Sequence, residues 1–332
     1  SFIERVYFSC QDPLPLLVGI CNAGDDDMIR SLFTAPLLPD RDKLPLFEFL
    51  VCRLGPDTPL LAELADTEDL PRLFFDTGYF YRHLDFRHEK LVRALFGFAR
   101  TPELISRFAA CLFLSAVLQW DICSAETWLR EFRQTGHHGV YHPHQDAIMQ
   151  SLLDWLRYQK KPAGLQEMVS ATLAAAAPEP LHLLLLSHLL IYLGEYRLLL
   201  QTIEVLDPYH DPLGDAFRPI KELVQKMGVY ASFMSGVPFI VSGASSTGMA
   251  PTPACVLDEL ILARTGMACG NYREAVRYAE KANASAATLR LRGYQLLAYE
   301  LLEEAYRHLA RPTLKLHAQR AALEIRNLRA VG

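Results

Sequence analysis

The chain is 332 residues long, with 51% hydrophobic and 21% charged side chains and a net charge of −5. That composition supplies a substantial core and excludes an intrinsically disordered chain. The mildly negative balance excludes a global electrostatic drive toward nucleic acid or an anionic membrane surface.

Residues 1–75 are punctuated by Pro13, Pro15, Pro36, Pro39, Pro45, Pro56, Pro59 and Pro71. Proline lacks a backbone donor and pushes its predecessor toward extended geometry, so short helices are expected over 13–21, 25–33, 45–53 and 59–65. Asp25, Asp26 and Asp27 stand directly before Met28 and read as a cap and negative charge at a helix start rather than as a metal site. The ring-dense run 74–81 (FFDTGYFY) reads as inter-helix core with a turn at Gly78. Longer helices follow over 85–99, from Thr101-Pro102 to about 120, over 124–134 with Ser124 as cap, and over 145–159. In the last of these Ile148, Leu152, Trp155 and Leu156 share one face.

His137, His138, His142 and His144, with Asp146, form the densest set of potential metal ligands. Their spacing matches no zinc signature, and a solvent-exposed loop is the preferred reading. Residues 160–164 (KKPAG) break the helical pattern and divide the chain into an irregular all-helical domain, 1–160, and a second helical domain, 165–330. Within the second, helices are expected over 165–177, 181–193, 196–206 and 215–234. The run 181–193 is too short to span a membrane and carries two histidines, which suits a buried helix. The Ser-, Gly- and Pro-rich segment 237–253 reads as an exposed loop. Its Gly243–Gly248 stretch (GASSTG) fits neither a nucleophile elbow nor a phosphate-binding loop.

Residues 260–282 (LILARTGMACGNYREAVRYAEKA) are the most telling stretch. Two amphipathic helices meet at a Gly270-Asn271-Tyr272 corner, with Ala263, Ala275 and Ala282 giving clearance for close packing. A second corner, Gly194-Glu195-Tyr196, lies 76 residues earlier. The basic residues after 305 alternate with Leu and Ala and form a solvated helix face. Seven cysteines, odd in number and without a Cys-x-x-Cys pair, fit reduced thiols and a cytoplasmic location. The opening SFIERVYFSC has no basic stretch followed by a long apolar run, so no signal peptide is expected.

The two hairpins resemble tetratricopeptide repeats, helix–turn–helix units of 34 residues that stack into solenoids. Leu262, Ala263, Gly270, Tyr272, Ala275 and Ala282 occupy matching positions; Glu259 replaces the family's early Trp, and Ala287 stands where a closing Pro is common. The resemblance covers residues 181–310. The order of a leucine-rich helix, a Leu-Gly-x-Tyr corner, an Asp-Pro, a long helix and an Ala-rich hairpin is also similar to ImpE-type accessory proteins of bacterial type VI secretion. About 180 residues precede the part that is alike.

The expected fold is therefore all-α, a helical bundle followed by a tetratricopeptide-like α-solenoid. The resemblance implies a non-enzymatic scaffold or adaptor that binds a protein or peptide, a secretion-system accessory or chaperone being the most concrete form. Tyr192, Tyr196, Tyr272 and Tyr278 are the candidate partner-binding anchors. No catalytic residue, cofactor, metal, nucleic acid or membrane span is expected. Two alternatives stand beside it: the helical effector-binding part of a larger transcription regulator or signalling protein, and a metal-dependent enzyme built on the His137–His144 loop.

Overall fold

The computed structural model describes residues 13–36, 38–79, 89–136, 144–174, 180–204, 218–236 and 252–327. Among them the chain is all-α, with seventeen helices and no strand. The first five are α1 (Leu14–Ala23), α2 (Asp26–Phe33), α3 (Asp40–Leu54), α4 (Pro59–Thr67) and α5 (Leu70–Asp76). Next come α6 (Glu89–Phe98), α7 (Pro102–Gln119), α8 (Ile122–Gln134), α9 (Gln145–Tyr158), α10 (Leu165–Ala174), α11 (Pro180–Leu193), α12 (Tyr196–Glu204) and α13 (Arg218–Ser235). The chain ends with α14 (Pro253–Ala268), α15 (Tyr272–Thr288), α16 (Arg292–His308) and α17 (Pro312–Asn327).

Several helix starts follow from local chemistry. The Asp25 carboxylate accepts the Met28 N–H at 2.9 Å, and the Thr101 hydroxyl accepts that of Leu104 at 3.3 Å. Three starts differ from expectation. Helix α3 begins at Asp40, five residues before Pro45, because Asp40 and Asp42 favour the first turn and Lys43 is held by Asp40 at 3.0 Å and Glu68 at 2.7 Å. Asp121, not Ser124, caps α8, accepting the Ser124 N–H at 3.0 Å. Thr252 and Pro253 belong to the start of α14, where the Thr252 hydroxyl accepts the Cys255 N–H; residues 237–251 lie outside the described residues.

Helix α7 is the centre of the fold. It is buried without a break from Phe108 to Leu118, as an all-round apolar helix must be. Among the described residues it alone is long and apolar enough to cross a membrane by length and composition. Here its faces are taken by α6, α8, α9, α11 and α16. Phe74, Phe75 and Tyr79 are buried, as read from the aromatic run, and Phe75 packs on Phe108 of α7 at 4.7 Å; Phe80 and Tyr81 lie outside the described residues.

One continuous hydrophobic core runs from Leu17 to Ile325. The break at 160–164 is an exposed turn, and α9 and α11 pack on each other across it. From α11 onward each helix packs on its successor, and α16 returns to touch α7.

Helices α14 to α17 have 16, 17, 17 and 16 residues and three corners of one type. Gly270, Arg290 and Ala310 take the left-handed conformation at φ 72°, 58° and 52°. In each corner the next residue's N–H closes onto a carbonyl five residues back: Asn271 to Gly266 at 2.8 Å, Leu291 to Ala286 at 2.8 Å, Arg311 to Tyr306 at 2.9 Å. Gly194 and Trp120 close α11 and α7 the same way. The helix-pair period from 270 to 310 is 40 residues, longer than a 34-residue tetratricopeptide unit. Close packing rests on small side chains: Ala263, Ala275, Ala279, Ala282 and Ala286 are all buried.

Candidate functional site

The most specific side-chain arrangement lies where α7, α9, α11 and α16 meet. Tyr192 of α11 stacks on Trp155 of α9 at 4.9 Å and 10°, and Trp155 meets Trp120 edge-on at 5.9 Å. His188, one turn before Tyr192, gives its Nδ1–H to the Leu184 carbonyl at 2.7 Å. Its Nε2 is then left to accept the Tyr294 hydroxyl of α16 at 3.2 Å. Burial holds the imidazole pKa down to about 4, the Leu184 carbonyl offsetting only part of that cost, so the ring is neutral. The Tyr192 hydroxyl sits out of solvent beside the Trp120 indole, and burial raises its pKa and that of Tyr294 above the ordinary tyrosine value. Tyr192, one of the candidate partner-binding anchors, is half-buried here, packed where the two halves of the chain meet.

The other three candidate tyrosines are half-buried, Tyr196 on α12 and both Tyr272 and Tyr278 on α15. Tyr272 is covered on one face by His308, stacked at 4.3 Å and 1°, and Tyr278 by the Arg277 guanidinium at 4.7 Å. Tyr196 meets the buried Tyr230 edge-on at 6.1 Å. Around this pair α14 and α16 bring charge. The Arg264 guanidinium lies beside the Tyr230 hydroxyl and binds Glu304 at 3.0 Å, while Arg326 of α17 binds Glu300 at 2.7 Å. Burial raises the Tyr196 and Tyr230 pKa values, with Arg264 opposing and Glu300 reinforcing the shift. Phe233, almost one turn beyond Tyr230, is 46% exposed. The structure thus gathers one expected residue, Tyr196, with Tyr230, Arg264, Glu300 and Glu304, none of which the sequence singled out.

Of the histidine loop, His137, His138 and His142 lie outside the described residues; His144 is half-buried at the start of α9. Asp146 is committed to Arg133 through contacts of 2.6 and 3.2 Å. Among the described residues no three His, Cys, Asp or Glu side chains gather as a metal site. A cavity of about 810 Å³ lies beside His144 and is bordered by Asp154, Glu167 and the 160–164 turn. A second, of about 680 Å³, lies between Cys52, Thr58 and Phe98. A third, of about 530 Å³, separates the α7–α8 corner from the α15–α16 corner.

No family model, no curated protein and no solved structure matches this chain.

Proposed function

We propose that the chain is a non-enzymatic scaffold or adaptor whose tetratricopeptide-like C-terminal helices hold a protein or peptide partner, a secretion-system accessory or chaperone being the most concrete form. The observation that supports this reading is the face shared by α12, α13, α14 and α16. There Tyr196 and two ion-paired carboxylates sit on helices rather than on loops, and Phe233, three residues along α13 from Tyr230, is exposed. Aromatic rings flanked by fixed charges suit recognition: burying a ring supplies affinity, and pre-placed carboxylates set register without an ordering cost. A partner segment would cover Phe233 and the open side of Tyr196 with apolar side chains. Its basic or amide groups would meet Glu300 and Glu304 at the rim.

The test is partner capture by the full chain compared with Phe233→Ala and with Phe233→Ala/Tyr196→Ala. The reading expects one stoichiometric partner, retained by the chain and lost at least tenfold in the double variant while helix content is unchanged. A partner held equally by the double variant would remove this face from the account. Loss confined to a variant at Tyr278 would move the interface to α15.

A further inference from the structure

We propose that the cavity between the α7–α8 and α15–α16 corners is a binding site for a small phosphate-bearing molecule. Its wall on one side is Gln119, Trp120 and Asp121, and on the other Ala287, Arg290, Arg292 and Gln295. At about 530 Å³ it is within the size range of small-molecule sites.

The charge of that wall sets the ligand class. No carboxylate among the described residues pairs with Arg290 or Arg292, whereas Arg264, Arg277, Arg307 and Arg326 each hold one within 3.2 Å. Asp121 is the single acid in the cavity, and it is already committed. It accepts the Ser124 N–H at 3.0 Å and the Ser124 hydroxyl at 2.6 Å, where the start of α8 further offsets its charge. Gln119 and Gln295 are neutral, and their amide nitrogens are turned to Ser115 at 3.0 Å and Asn283 at 3.3 Å. Arg290 and Arg292 thus line a space that holds no free acid to balance their charge. Trp120 is 3% exposed and Gln119, Arg292 and Gln295 are half-buried, while Asp121, Ala287 and Arg290 are exposed, so the cavity is open to solvent on one side.

A guanidinium fork matches a phosphate or carboxylate edge through two parallel N–H donors. One carboxylate would use one fork. A phosphate dianion, with three free oxygens and close to two charges, uses both. Because the cavity walls come from the two halves of the chain, the bound phosphate would also tie the halves together and raise the unfolding midpoint in proportion to its occupancy. This site shares no residue with the Tyr196 face, so its failure would leave that reading untouched.

The test is titration of the full chain with inorganic pyrophosphate, read by calorimetry and by thermal midpoint, against sodium chloride at matched ionic strength. Three variants are compared: Arg290→Gln/Arg292→Gln, which removes the charge; Ala287→Phe, which fills the cavity and keeps the charge; and Arg273→Gln/Arg320→Gln, a control that removes two exposed arginines elsewhere. The expected result is binding by the parent and the control alike, weakened at least tenfold in both cavity variants, with unliganded midpoints showing that each variant is folded. Absence of binding by the parent would overturn the proposal. So would equal weakening in the control, or undiminished binding when Ala287→Phe fills the space.

Discussion

Gly293 tests the junction most sharply. It is the second residue of α16, and a Cβ there would come within 2.7 Å of the Tyr192 ring carbons and closer still to its hydroxyl. The ring cannot simply retreat, because its other side is stacked on Trp155. In an open helix Gly→Ala stabilises by about 0.5–1 kcal/mol. Overpacking a filled site costs about 1–3 kcal/mol, so Gly293→Ala should come out destabilising by roughly 1–2 kcal/mol. Equilibrium urea unfolding measures it, and a cycle with Tyr192→Ala isolates the contact. Once the ring is gone, Gly293→Ala should become neutral or favourable, a coupling of at least about 1 kcal/mol. A stabilising Gly293→Ala in the parent, or the same cost in both backgrounds, would refute the close approach.

Three further outcomes follow from the same packing. The native pKa of His188 is lowered to about 4, whereas an unfolded chain protonates near 6.5, so stability should be constant above pH 6.5 and fall as pH drops toward 4. The slope approaches 1.4 kcal/mol per pH unit, roughly 3 kcal/mol in all, and a difference in pH-dependence between parent and His188→Gln that lacks this slope would contradict the neutral buried ring. Ala310→Gly should raise stability by up to about 1 kcal/mol, since Ala310 sits at φ 52° where a side chain is strained; a loss in thermal or urea unfolding would argue against that corner. Gly266→Ala should cost about 1–3 kcal/mol by overpacking, because its Cβ would lie 3.0 Å from the Ala275 backbone nitrogen and force α14 away from α15; unchanged urea unfolding would show that the two helices are not in contact there.

What the sequence could reveal was decided by how local the determining chemistry is. The all-α class and the Gly270-Asn271 corner are local: glycine accepts the left-handed turn, and the Asn271 side chain then caps α15 by accepting the Glu274 N–H. The corners at Arg290 and Ala310 have the same geometry without a glycine; at Arg290, burial of Leu289, Leu291 and Tyr294 fixes the chain reversal from outside the turn. The 40-residue period was therefore hidden, and a single legible hairpin suggested a shorter one. The junction was hidden for a different reason: the His188–Tyr294 contact spans 106 residues. Tyr192 and Tyr272 both flank a corner glycine and look equivalent in the chain, yet one is held by Trp155 of α9 and the other by His308 of α16. The one sequence signal for the junction was a pair of histidines within a leucine-rich helix; both His182 and His188 are buried with hydrogen-bond partners.

Site-specific photocrosslinking in cells tests the scaffold reading most directly. A benzophenone side chain placed at Phe233, 46% exposed on α13, is compared with one at Tyr158, 69% exposed at the end of α9. The account predicts one discrete crosslinked partner from position 233 and none from position 158. No adduct at 233, or the same adducts from both positions, would contradict a partner-binding face on the C-terminal helices.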